Sequence, residues 1–318
     1  MATDAARLRD LADGRTKWLV VLASFVVLFV VKGTTATYGV FISPIETDFG
    51  WSRTTISLTF SIYLLATAVA SPLTGHAIDR YGARRTLPLF IAGVAIVLAA
   101  LSVMSAVTHM YVLYGLLGFV ITGISNSHIS AIIRKWFTTR TLLASGIAIS
   151  GFSMGQLVFN PVAAELILSY DWRLAYLAFG AIAFLMAPVA YYFVKSPGEG
   201  PAANDDEEKT GGAGEADESV ADDAGISPAG DEEAALTPTL PAFSVRAAMR
   251  TKSLWLLVFT FFICGFTTVG LMTTHFVPYL LSIGFTESIA AQGAGVLGGM
   301  TVFGLLITGA IGDRYEEL

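Results

Sequence analysis

Residues 75–85 read GHAIDRYGARR, and a close copy of the opening, GAIGDRY, returns at 309–315. Each copy sets a glycine four residues before an aspartate and follows the aspartate with Arg-Tyr. Both copies end the second apolar run of a group of such runs. A polar signal that recurs at one topological station, 234 residues apart, marks two structural repeats related by an axis along a membrane normal.

The runs themselves make this an all-α, polytopic membrane chain. Of 318 residues, 54% are hydrophobic and 14% charged, too little polar surface to wrap a soluble globule. Mean hydropathy is +0.66. A helix crosses hydrocarbon with about 20 apolar residues, and eight stretches qualify: 18–42, 54–78, 86–107, 110–133, 141–167, 173–194, 253–282 and 287–311. They predict a six-helix bundle (1–195), a linker (196–244) and two helices of an incomplete second bundle (245–318). The first run is full spanning length, so it reads as a retained helix and not as a removable signal.

Charge is divided along the chain. The linker holds thirteen acids against Lys209, giving −12, while the remainder carries +6. Its Gly, Pro, Ala and like-charge composition predicts disorder. Outside Lys32, sixteen Lys and Arg residues fall on one side of the spans, and Arg53 and Arg173 on the other. The N-terminus and the linker are therefore expected in the cytoplasm of a cell whose plasma membrane the chain crosses. FSVRAAMRTKSL, 243–254, fits either an interfacial helix or a basic flank.

Chemistry in the repeated signal is readable. Gly75 and Gly309 remove side chains where helices approach, and Asp79 and Asp313 can offer a carboxylate to the positive end of a neighbouring helix. The stretch resembles the loop signature Gly-x-x-x-Asp-Arg-x-Gly-x-Arg-Arg of the major facilitator superfamily, matched by Gly75, Asp79, Arg80, Gly82, Arg84 and Arg85, and in its second copy by Gly309, Asp313 and Arg314. YGVF (38–41), FGWSR (49–53), RKWF (134–137), DWR (171–173) and RTKSLWLL (250–257) resemble the monocarboxylate and oxalate/formate exchanger branch.

That resemblance implies a cytoplasmic latch, with Asp313 facing residues 139–142 and Asp79 facing an eleventh helix. After Tyr315 the family pattern of Gly and a basic pair gives way to Glu316, Glu317 and Leu318. The chain is accordingly read as a fragment or frameshift of a twelve-helix transporter, with a genuine eight-span protein as the other possibility.

Lys32 stands fourteen residues beyond Trp18, about 21 Å along the first helix. A charge at such depth costs at least ~2.5 kcal/mol unless it faces a wet cavity or a partner. Two readings are open: a counter-charge for a carboxylate, which the resemblance favours through a lysine on helix 1, or a lysine reaching headgroups from a tilted helix. Thr122, Asn126 and Ser130 recur every four residues with Gly115 and Gly118 nearby, either lining a pathway or gluing helices. Gln156 and Asn160 repeat the interval, and His275 is either a proton or substrate group or a packed histidine. The branch's helix-8 arginine is replaced by Leu305.

The function expected is secondary transport of a small organic anion by alternating access, with protons or a counter-anion as co-substrate and the lipid bilayer as surroundings. The alternatives are a non-transporting membrane binding or regulatory protein and a transporter of another solute, such as a drug. The lone Cys264 excludes a disulfide within the chain and a cysteine metal cluster. Neither a GxxxxGK[ST] loop nor a catalytic constellation is present, so no enzyme activity, cofactor or nucleic-acid partner is expected.

Overall fold

The computed structural model describes residues 16–137, 139–194 and 249–316. The linker at 196–244, residues 243–248 of the stretch at 243–254 and the arginines before Thr16 lie outside the described residues. Two compact units are distinguished, Met1–Glu199 with Val269–Leu318, and Gly200–Thr268.

In the first unit the helices are α1 (Thr16–Phe49), α2 (Arg53–Tyr81), α3 (Ala83–Leu101), α4 (Val107–Trp136), α5 (Thr141–Ser169) and α6 (Trp172–Phe193). After the linker come α8 (Thr273–Ser282) and α9 (Glu287–Glu316). The described part of the second unit holds α7 (Lys252–Cys264), whose Trp255 Nε1 donates to the Met249 carbonyl at 2.9 Å. Gly265–Met272, between α7 and α8 in sequence, is π-helical. Among the described residues seven helices are long and apolar enough to cross a membrane: α1 to α6 and α9. The stretch expected as a span at 253–282 is helical throughout 252–282, as α7, the π-helical turns and α8 in succession, and Pro278 lies inside α8.

Polarity is arranged for lipid. On α2, Leu58, Leu65, Val69 and Leu73 point outward while Thr59 and Thr74 are buried. This inversion is stable where the surroundings are hydrocarbon and every backbone group is bonded within its own helix. Ser52 caps α2 by accepting from the Thr55 N–H at 3.2 Å, and Gly82, at φ 77°, turns the chain into α3.

The repeat runs residue for residue well beyond the signature. Arg53 and Glu287 begin α2 and α9, and Ser52 and Thr286 accept from N–H groups of their first turns. Gly50 and Gly284 both adopt positive φ, 66° and 97°, and Pro44 and Pro278 sit inside the preceding helices. Every one of these pairs differs by 234 in number, as do Gly75 and Gly309. Side-chain oxygens before the helix, and glycines where L residues are strained, impose the same turn twice.

Three of the described spans, α1, α4 and α6, depart from one unbroken α-helix; α6 is interrupted at Leu185, between Trp172–Phe184 and Met186–Phe193. In α1, Leu28–Lys32 forms π-helical turns and the chain bends again at Ala36–Thr37. Carbonyls loosened there are taken up by threonines: Thr34 and Thr35 donate to the Val31 carbonyl, and Thr37 to that of Thr34 at 2.7 Å. In α4, Val107–Thr122 ends at Gly123, and Asn126–Trp136 starts anew with Ser125 as its cap, accepting from the His128 N–H at 3.3 Å. The four-residue ladder expected through Thr122, Asn126 and Ser130 is thus interrupted, because the extended Ser125 resets the helical phase.

Candidate functional site

Lys32 closes the π-helical turns at the middle of the 34-residue α1, about 25 Å from either end. Its side chain is half-buried, and among the described residues no carboxylate lies within ion-pair distance of it. No other Lys or Arg stands in the interior of a described span; α9 has only Arg314, at its end. Arg53 and Arg173, by contrast, sit beside the α1–α2 and α5–α6 turns and are paired: Arg53 Nε with Glu46 at 2.8 Å, and Arg173 with Asp48 at 2.9 Å.

Helix α5 stands between α1 and α9. On one side it crosses α1 so closely that a Cβ on Gly155 would lie 2.8 Å from the Gly33 Cα, next to Lys32. On the other it meets α9, where the missing side chain of Gly298 leaves room for Gln156, whose Cβ would be 2.5 Å from a Cβ there. Ser153, one turn before Gln156, is hydrogen-bonded to Thr301 of α9. Asn160 is buried one turn beyond Gln156. Leu305 lays its carbonyl 3.1 Å from where a Gly146 Cβ would be.

The remaining polar candidates lie elsewhere. His275 is exposed on α8, whereas its neighbours Thr274 and Val277 face inward. Asn126 begins the second half of α4, with a buried Oδ1 that no described residue bonds. Gly115 and Gly118 receive Ile62 and the Tyr63 carbonyl of α2, so that face of α4 is a helix contact.

At the α2–α3 end, the two copies of the signature differ in their partners. Asp313 Oδ1 and Oδ2 accept from the Leu142 and Leu143 N–H groups, each at 2.9 Å. These are first-turn donors of α5 that have no acceptor within their own helix. Arg140, immediately before α5, is held at φ 58° in the left-handed region. A Cβ on Gly309 would sit 3.0 Å from the Leu142 carbonyl. Asp79 is exposed and accepts no hydrogen bond among the described residues, and a Cβ on Gly75 would meet only His128 Nε2, at 3.6 Å. Arg80 lies over Tyr81 and Arg84 over Tyr191, at 5.6 and 4.8 Å from the ring centroids; Arg85 and Arg314 are exposed.

At the α1–α2 end the FGWSR and DWR stretches meet. Phe49 stacks on Trp51 at 4.2 Å, Trp172 Nε1 donates to Asp48, and Arg173 lies 4.2 Å from the Trp172 ring. Below them is a buried hydroxyl pair, Tyr114 and Tyr176, 2.7 Å apart. No group of three or more His, Cys, Asp or Glu able to hold a metal occurs among the described residues.

A helical bundle with a repeated Gly-x-x-x-Asp-Arg signal, one copy seated on a helix N-terminus, defines a family of membrane proteins. The family model described as Major Facilitator Superfamily matches residues 22–317, and the chain belongs to that family. Mouse (Mus musculus) monocarboxylate transporter 6 is 31% identical over 209 residues, 62% of this chain and 43% of that protein. The oxalate:formate antiporter of Oxalobacter formigenes is 22% identical over 309 residues, 95% of this chain and 65% of its own. The chain thus spans less than two thirds of the length of either relative. A crystal structure of a D-xylose-proton symporter shares the fold with a TM-score of 0.59 at 14% identity, over 90% of this chain and 66% of that one.

Proposed function

We propose that this chain serves secondary transport of a small organic anion, a mono- or dicarboxylate, by alternating access. The observation that carries the reading is Lys32: a cation at mid-helix, in a π-helical turn, with no acid to neutralise it among the described residues. A charge kept there is tolerated when an anionic solute supplies the partner. Membership of the family and the names of the two relatives support the class of solute.

Residues 16–194 are read as one six-helix repeat and 252–316 as the first two helices of a second. Asp313 on α5, together with Gly75, Asp79, Arg80, Gly82, Arg84, Arg85, Gly309 and Arg314, is read as the latch, and Gln156 and Asn160 as polar lining. Asn126 and His275 are kept as secondary positions. The basic residues Arg80, Arg84 and Arg85 gather at the α2–α3 end, which supports a cytoplasmic assignment for that end and for the N-terminus in a plasma membrane. Protons or a counter-anion complete the cycle.

Uptake of labelled lactate, formate and oxalate into liposomes carrying the 318-residue chain tests this. Wild-type chain is expected to accumulate at least one of the three, and Lys32→Gln to lose most of that uptake at equal protein incorporation. Equal uptake by the two chains would remove Lys32 from the site; none by the wild type would leave a membrane protein that does not transport these anions.

A further inference from the structure

The seam between α5 and α9 is long, and apart from the Asp313 cap at one end it carries few directional bonds. Leu157 lies against Gly295, Gln156 against Gly298, Gly146 against Leu305 and Leu142 against Gly309. Contacts of backbone with an absent side chain give dispersion and no directional bond, so parting them leaves no polar group without a partner. Among the described residues a single side chain–side chain hydrogen bond joins α1–α6 to α8–α9, between Ser153 Oγ and Thr301 Oγ1. Ser153 is only 3% exposed. Both residues stand at the middle of their 29- and 30-residue helices, at the level that Lys32 occupies in α1.

The hydroxyl inventory is closed. Thr301 has one hydrogen and faces two acceptors, Ser153 Oγ and the Gly298 carbonyl at 2.7 Å. When it donates to Gly298 it receives the Ser153 hydrogen; when it donates to Ser153, the serine keeps a free O–H. Thr67 of α2, 234 residues earlier, makes the same back-bond, to the Leu64 carbonyl at 2.7 Å. The local back-bond of Thr301 therefore recurs at the same place in the first repeat.

We propose that Ser153 and Thr301 form the mid-membrane clasp between the repeats, made while α5 and α9 lie together and broken when they rock apart. It rests on the alternating-access reading above. A carboxylate arriving at this depth competes for the spare O–H, which links the clasp to the solute.

The full chain in liposomes, with Cys264→Ala, tests it in three arms. First, Ser153→Cys/Thr301→Cys is expected to form a disulfide under mild oxidant about tenfold faster than Ser153→Cys/Thr308→Cys, read from linked peptides by mass spectrometry. Equal rates overturn the clasp. Second, a reporter thiol at Leu157→Cys is expected to react with a water-soluble maleimide about tenfold faster when Thr301→Val is added, and at the unaltered rate with Thr301→Ser. No acceleration by the valine overturns the clasp, and if that chain fails to fold the first arm decides alone. Third, oxalate, formate or lactate is expected to change the disulfide rate about threefold, and not in a Lys32→Gln chain. If the first two arms succeed and this one fails, the solute reading falls while the clasp stands.

Discussion

Replacing Asp313 by alanine removes the acceptor of two α5 amides at once. The Leu142 and Leu143 N–H groups point out of the helix start and reach no carbonyl of their own helix, so the carboxylate at 2.9 Å from each is their partner. A cap of this kind contributes about 0.5–2 kcal/mol, and a charge at a helix N-terminus about 0.3–1 kcal/mol more. The site is partly open to solvent, so screening brings the sum down to about 0.5–2 kcal/mol. That is a change of roughly 2- to 30-fold in the opening equilibrium of the contact. Hydrogen–deuterium exchange in detergent reads it directly. In Asp313→Ala the peptide containing residues 142 and 143 should exchange faster by that factor, Asp313→Asn should fall between, and α3 should be unchanged. Equal exchange in wild type and alanine variant would refute the cap, and equal acceleration throughout α3 would mean global loosening instead.

Other outcomes follow from the packing. Gly298→Ala drives a methyl to 2.5 Å from Gln156 Cβ and should lower stability by about 1–3 kcal/mol, whereas Gly304→Ala, with nothing within 4 Å, should be neutral or slightly stabilising in thermal unfolding. At Arg140, held at φ 58°, β-branched valine should destabilise, whereas glycine, which relieves the left-handed strain, should be neutral or stabilising by up to about 1 kcal/mol. Tyr176→Phe leaves the buried Tyr114 hydroxyl without its 2.7 Å partner and should cost about 1–3 kcal/mol, while the double Tyr114→Phe/Tyr176→Phe change should be close to neutral, the result a double-mutant cycle in denaturation reads.

Much of the fold is legible in composition because lipid imposes one rule, a run of about 20 apolar residues per crossing. The repeat was legible because glycine and aspartate tolerate few substitutes at a tight crossing and a helix N-terminus, and the same logic extends to Gly50 and Gly284, which are plain only once their positive φ is known. Hydropathy is blind to backbone phase. It therefore passed over the break at Gly123–Ser125 and the π-helical turns at Leu28–Lys32, although Gly123 and the capping Ser125 were visible as letters. Lys32 announced itself by charge in an apolar run, but Ser153 and Thr301 are 148 residues apart and carry no charge. Nothing local distinguishes them from the other small hydroxyls of these helices, apart from the repetition of Thr67 at Thr301.

The reading turns on an ammonium at mid-membrane that is wet and meets an anion. Amine-specific acylation of the liposome-bound chain, followed by mass spectrometry of the peptide bearing Lys32, measures this at the atom concerned. Lys32 should be modified by a water-soluble reagent, and whichever of lactate, formate or oxalate is transported should protect it. Modification at the same rate with and without all three anions, or none at all while Lys17 and Lys252 react, would contradict it.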